Sequence, residues 1–456
     1  MRGKNKSSKT GSPALPVLRP KVAGIDLGAN QHWVGGPIAS DGAANVRVFG
    51  TTTPELDKLA NWLIEQQVES VAMESTGVYW IPIYELLESR GLEVVLANAR
   101  QLSHVPGRKT DMKDCQWIQL LHSCGLLRGS FRPTEEICRL RALQRQRGNL
   151  TEERTRAVQW MQKALDQMNV QVHRAVTDLT GKTGMAIVRA IVAGERDVLT
   201  LAAHRDKRCR KSAAEIAAHL TGTWRDEHLF NLRMALRLFD EIEAMIDAYN
   251  AELRGAMEAL QPPDRQQQPI PPHPNPAKER ALRSRGEQES RACLWRFASV
   301  DLTRIDGISA GNAEIILTEV GLDLAAFPTE KQFVSWLRLS PRTPISGGKP
   351  LRKRRNTMGA TRVSGILRMA ALSLSRSTSA LGAYYRSIAR RKDGAVAVFA
   401  TARKLAIWVY RMLRYGHEYV DIGANAYEVR SQQRRLRGLQ ASANSLGYQL
   451  VPVAER

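Results

Sequence analysis

The chain has 456 residues, 43% of them apolar, enough to fill real cores in about three domains of ordinary size, which excludes a disordered basic tail. Sixty-seven Lys and Arg against 45 Asp and Glu leave a formal net charge of +22, so a polyanion is the natural partner and nucleic acid the first expectation, since each neutralised phosphate releases condensed counterions. Five widely spaced cysteines, Cys115, Cys124, Cys138, Cys209 and Cys293, with no CxxC and no histidine at zinc-ligand spacing, support neither a disulfide framework nor a structural zinc site, and no run of about 18 uncharged apolar residues offers a membrane span.

Residues 1–21 carry six Lys/Arg and no acid, and Pro13, Pro16 and Pro20 interrupt any helical presequence, so a flexible basic arm on a protein of the reducing cytoplasm is expected. Residues 22–50 read as three short strands, "VAGIDLG", "QHWVGGPI" and "NVRVFG", separated by Gly, Asn and Asp turn signals. After Pro54, the spacing of Leu56, Leu59, Ala60, Leu63 and Ile64 predicts a helix over 54–66. "VESVAMES" is a fourth strand, "YWIPIYELLESRG" a helix closed by Gly91, "LEVVLAN" a fifth strand, and a helix runs through 111–124. Strands with interleaved crossovers imply a mixed sheet covered by helices, and 22–130 is expected to form this α/β domain.

Residues 131–260 turn helical and charged, with two long segments whose apolar positions recur at steps of three and four, the pattern of helical hairpin arms or a coiled coil. Between them "DLTGKTG" resembles a phosphate loop, but Val176 stands where the first glycine of that motif belongs and no clear strand precedes it, so that function is not expected. Residues 261–292, rich in Pro, Gln and charge without periodicity, predict a linker. Residues 293–422 return to helical patterning as a C-terminal domain, and 423–456 read as a polar, irregular tail. The fold class is α/β followed by all-α.

"RKTDMKDCQW", residues 108–117, places Asp111 and Asp114 three apart, which on a helix puts both carboxylates on one face about 5 to 6 Å apart. Asp26 ends the first apolar strand and Glu74 the fourth. If those strands are neighbours and the Asp111–Asp114 helix packs across their ends, four acids converge. Alone they would raise one another's pKa values; two Mg²⁺ ions about 3.5 to 4 Å apart would keep them charged and clamp a phosphodiester. Taken singly, Asp111 reads as a helix cap and Asp26 as a turn residue.

Farther along, Arg342 to Arg368 contains eight Lys/Arg and no acid. Arg342, Lys349, Arg352, Lys353, Arg354 and Arg355 are candidates to hold a phosphate, with Gly347 and Gly348 permitting close backbone approach. Ser346, just before those glycines, is a candidate nucleophile, although such a serine read by itself is usually part of a turn. "LTRIDGISAGNAEIILTEVG" has the shape of a helix-hairpin-helix around Gly307, whose helix amides would hold a DNA phosphate, with Ser309 in place of the second glycine.

The segments "GIDLGANQHW", "AMESTGVYW" and "RKTDMKD" resemble the Asp, Glu, Asp, Asp segments of the RuvC-like, RNase H-fold domain of the IS-one-ten family of insertion-sequence transposases. That resemblance carries the family's acidic tetrad onto Asp26, Glu74, Asp111 and Asp114. "SPRTPISGG" resembles the family's C-terminal transposase domain, in which a Pro-Arg segment leads to the catalytic serine, and so points to Ser346 rather than Ser340. The resemblance implies a Mg²⁺-dependent DNA recombinase that joins strands through a phosphoserine. It also implies a structured bridge RNA that pairs with donor and target DNA, and dimers meeting as a tetramer. Two alternatives stay open: a Holliday-junction-resolvase-like metal nuclease in which water attacks, and a non-catalytic nucleic-acid-binding scaffold.

Overall fold

The structure is a computed structural model that describes residues 16–37, 45–75, 77–98, 102, 111–265, 268–340, 345–346, 349–350 and 361–451, with the backbone alone for 111–113, 345–346 and 349–350. The chain divides into two compact units, Met1–Arg132 and Pro133–Arg456.

In the first unit β1 (Val22–Leu27) pairs antiparallel with β2 (Gln31–Gly35), and β2 antiparallel with β3 (Val46–Gly50). On its other side β1 runs parallel to β4 (Ser70–Glu74), which runs parallel to β5 (Glu93–Ala97). The order β3-β2-β1-β4-β5 is the mixed sheet that the strand pattern predicts. One face carries α1 (Thr53–Glu65) and α2 (Trp80–Ser89), whose Leu59, Leu63, Ile83 and Leu87 are buried with Ile25, Val34 and Met73 of the strands. The stripe on α1 differs from expectation by one residue. Ile64 is 46% exposed, and Trp62 is buried instead, its ring 5.7 Å from Phe49 of β3. A large ring reaching sideways to an edge strand outcompetes the next position on the ideal helical stripe.

The opposite face carries α3 (Asp111–Ser123), the helix expected through 111–124. Glycine makes its close approach possible. A Cβ on Gly24 would stand 2.3 Å from the Gln119 amide nitrogen and 2.5 Å from the Cys115 carbonyl oxygen, and one on Gly35, its register partner, 3.2 Å from the same oxygen. Backbone atoms cannot swing aside as a flexible side chain does. Gly24→Ala is therefore expected to destabilise this unit by about 1–3 kcal/mol, the usual cost of overpacking. Denaturant unfolding measures it, and an unchanged midpoint would mean that the helix yields without cost.

The second unit is built on α4 (Glu135–Gln167) and α9 (Asp226–Ala259), which lie antiparallel. Arg139 reaches Glu252 and Arg154 reaches Glu243, each at 2.7 Å, so the numbering rises along one helix as it falls along the other. Where α4 ends and α9 begins, four short helices complete a core: α5 (Val172–Ala175), α6 (Lys182–Ala193), α7 (Val198–Ala203) and α8 (Ala213–Leu220). Met161, Leu165, Ile187, Leu220, Leu236 and Phe239 meet there.

Within 261–292, expected as a linker, the described residues carry helices. They contain α10 (Pro276–Ser284) and the start of α11 (Gln288–Ala298), with Leu282 and Arg291 each 2% exposed. Arg291 donates from Nε and Nη2 to Asp301 Oδ2 at 2.9 and 2.7 Å, from Nη1 to Glu279 Oε2 at 2.9 Å and from Nη2 to the Pro271 carbonyl at 3.0 Å. A buried arginine with all these partners organises a segment that has too few apolar residues to show a period.

Beyond it lie α12 (Ala310–Val320), α13 (Glu330–Trp336), the strand pair β6 (Ile345–Ser346) and β7 (Lys349–Pro350), then α14 (Arg362–Ser373), α15 (Ala380–Arg391) and α16 (Gly394–Tyr415). Glu319 of α12 accepts a bidentate pair from Arg145 of α4, 2.7 Å for each bond, fixing this region to the long pair. The tail expected to be irregular forms α17 (Gly423–Ser445), in which no residue is buried. It is anchored at its start, where the Ala424 amide donates to the Thr378 carbonyl and Tyr427 meets the Tyr384 ring edge-on.

Candidate active site

Asp26 lies on β1 opposite Trp33, one residue past Ile25, and Ile25 pairs with Met73 of β4, one residue before Glu74. The two acids thus follow one another in register at the ends of adjacent parallel strands. Side chains alternate between the faces of a strand. Asp26 therefore shares the face of Gly24, and Glu74 that of Ser70. Both faces lie under α3, because Gly24 touches its backbone and Ser70 Oγ stands 2.8 Å from His122 Nε2.

Asp114 is partly buried on the second turn of α3, next to Cys115, whose carbonyl rests on Gly24. The thiol of Cys115 reports on the surroundings. Burial pushes its pKa up to about 11, and the charges of Asp26 and Asp114 push in the same direction. Two carboxylates from separate elements therefore act on one buried sulfur. Asp111 is the first residue of α3, and its side chain lies outside the described residues. Among the described residues no three His, Cys, Asp or Glu side chains stand close enough to hold a metal ion by themselves.

The donor set nonetheless has a definite chemistry. Among the described residues Asp26, Glu74 and Asp114 offer carboxylate oxygens here, and Cys115 beside Asp114 is a buried thiol whose pKa is pushed up to about 11. Hard oxygen donors suit Mg²⁺ or Mn²⁺ rather than zinc.

Sequence reasoning passed over two supports of this site. Gly24 and Gly35 were legible as small residues within strands, but their role depends on which helix covers them. His122 is 2% exposed, and burial lowers its pKa from 6.5 to about 4. The folded state resists protonating it, so between pH 6.5 and 4 the unfolded chain binds the extra proton and stability falls as pH falls. The lost contribution is about 3 kcal/mol at 1.36 kcal/mol per pKa unit. We expect the N-terminal unit to lose that stability across this window in denaturant titrations at stepped pH, and His122→Gln to flatten the dependence.

In the second unit Ser346 is a strand residue. Its register partner is Lys349, and Ile345 pairs with Pro350. Arg342, Gly347, Gly348, Arg352, Lys353, Arg354 and Arg355 lie outside the described residues. Gly307 has φ +85°, and a Cβ there would stand 2.9 Å from the Ala370 carbonyl, so glycine is required for packing on α14. Ser309, in place of the second hairpin glycine, caps α12 by accepting from the Asn312 amide, and Glu287 accepts from the Ala310 amide. Amides expected to face a DNA phosphate thus already have oxygen partners in this chain.

An RNase H-like sheet domain is joined to a mostly helical remainder, with carboxylates gathered at the ends of its central strands. Residues 23–170 match the family model described as a transposase of the IS110 DEDD type, and residues 299–386 match the model described as transposase, IS116/IS110/IS902 family. Together the two models span just over half of the sequence, and the chain carries the domains of an IS110 family transposase. These domains support a DNA-cutting and rejoining enzyme of a mobile element, imply DNA as a partner and suggest dependence on a divalent metal in general. No curated protein matches the chain. No described helix is long and apolar enough to cross a membrane.

Proposed function

We propose that this chain excises and inserts a mobile element by serine attack on DNA, guided by a bridge RNA and acting as dimers that meet as a tetramer. Asp26, Glu74, Asp111 and Asp114 would hold Mg²⁺, and Ser346 would supply the nucleophile. The observation that carries the reading is the register of β1 and β4. It brings Asp26 and Glu74 to one strand end beneath the helix that bears Asp114.

The Ser346 hydroxyl loses its proton to solvent or a nearby base as Oγ bonds to phosphorus, and the bond from phosphorus to one sugar oxygen breaks. That oxygen leaves as a hydroxyl once protonated. The phosphoserine conserves the ester energy, so a second DNA hydroxyl attacks it, restores a phosphodiester and releases serine without ATP. Asp26, Glu74, Asp111 and Asp114 would hold the divalent cation, which when bound would supply positive charge for the phosphate and leaving oxygens. The cationic stretch from Arg342 to Arg368 favours a polyanion near Ser346. Pairing with RNA would select the DNA, so this chain's side chains need read only backbone and shape.

The test is to incubate the protein with the element's end DNA, the flanking RNA and Mg²⁺, then map any protein–DNA adduct by mass spectrometry. An adduct on Ser346 is expected. Free cleaved ends without an adduct would instead make this a metal nuclease of the junction-resolving kind.

A further inference from the structure

Residues 204–212, "HRDKRCRKS", place five Lys/Arg and one acid in nine residues. They join α7 to α8 beside the α4–α9 pair and lie outside both matched family regions. Like charges so concentrated repel one another, and a merely solvated loop would relieve this by spreading. This loop is held closed instead.

Arg205 turns inward, donating from Nε to the Lys211 carbonyl at 2.6 Å and from Nη2 to the Cys209 carbonyl at 2.8 Å. Lys211 donates to the Arg174 carbonyl and stands 3.0 Å from His219 Nε2. The Asp206 amide donates to Thr183 Oγ1 at 3.0 Å, pinning the loop to α6. The one acid is itself engaged. Asp206 accepts from the Arg208 amide and side chain at 3.0 and 3.1 Å, which hold its pKa down to about 2, and Lys182 lies 3.7 Å away. Nearby carboxylates are also occupied, Asp178 by Thr180 and Glu215 by Ser212.

Two cations thus brace the loop while Lys207, Arg208 and Arg210 face solvent, with Lys182 beside them. The "GKTG" sequence, which fails as a phosphate loop, contributes Lys182 to this patch at the start of α6.

We infer that the 204–212 loop, with Lys182, is a second nucleic-acid contact that grips the phosphodiester backbone of a duplex without reading its sequence. It rests on nucleic acid being the partner, but not on the chemistry assigned to Ser346. Cations on a braced loop give up less side-chain freedom on binding than cations on a flexible tail, and contacts to phosphates carry no base information.

The test uses the full chain with Ser346→Ala and no divalent cation, so that no cleavage occurs. Affinity for a random duplex DNA, and separately for a duplex RNA of the same length, is measured across salt concentrations. K207A/R208A/R210A is expected to weaken binding about tenfold or more and to reduce the slope of log affinity against log salt by about 2 to 3. The control R233A/R237A/R254A removes equal charge from exposed positions on α9. Circular dichroism checks that both variants fold. A larger loss on DNA than on RNA, or the reverse, identifies which duplex sits there. An unchanged slope in the folded loop variant, or an equal loss in the control, overturns the inference, as does failure of the parent protein to bind either duplex.

Discussion

Asp26→Asn, Glu74→Gln and Asp114→Asn are each expected to reduce strand cleavage by about a thousandfold or more while leaving the fold intact. The magnitude follows from weakening the hold on a divalent cation that these carboxylates would bind, because a cation placed against developing negative charge is worth several kcal/mol of barrier. The amide keeps the shape of the side chain but loses its charge. Packing around Gly24 and Cys115 should therefore survive, and the melting temperature should stay level or rise as carboxylate repulsion is relieved. Asp26→Asn also has a readout separate from activity. The Asp26 charge helps hold the Cys115 thiol at about 11, so its loss should lower that pKa, measurable from the pH dependence of thiol alkylation. Retained cleavage in all three folded variants would show that these carboxylates are not part of the catalytic machinery.

The second large effect is at Ser346. Ser346→Ala is expected to abolish the protein–DNA adduct and strand joining while nucleic-acid binding persists. Ser346 pairs through its backbone with Lys349 across β6 and β7, and that ladder does not require the hydroxyl, so alanine preserves it. Loss of an attacking oxygen differs in kind from loss of a supporting charge: no slower route to the same covalent species remains. An adduct of equal yield in Ser346→Ala would place the nucleophile elsewhere, and one mapped to Ser340 would name it.

Two expectations read from the sequence illustrate where such reading fails. The 261–292 segment appears coreless because its order comes from Arg291 and its acceptors, Asp301, Glu279 and Pro271, and no apolar period registers a buried ion network. The tail beyond 422 appears irregular because α17 buries nothing. Its polar surface hides a helix whose start is tied to residues near 378 and 384. In the DLTGKTG segment Asp178 turns onto Thr180, and α5 precedes it in place of a strand.

The sequence by itself determined the five strands, their interleaved helices and the two long charged helices, because alternation, three-to-four spacing and turn residues are local and repeat within a few residues. It also marked Asp26, Glu74, Asp111 and Asp114 as acids out of keeping with a basic chain. The tertiary structure alone decided that β1 and β4 are parallel neighbours and that α3 lies on Gly24 and Gly35. It also decided that His122 is buried against Ser70 and that Arg205 and Lys211 brace a cationic loop. Those facts join residues tens of positions apart. Which of them meet depends on the balance of burial, hydrogen bonding and repulsion over the whole folded unit, and no local spacing records that balance.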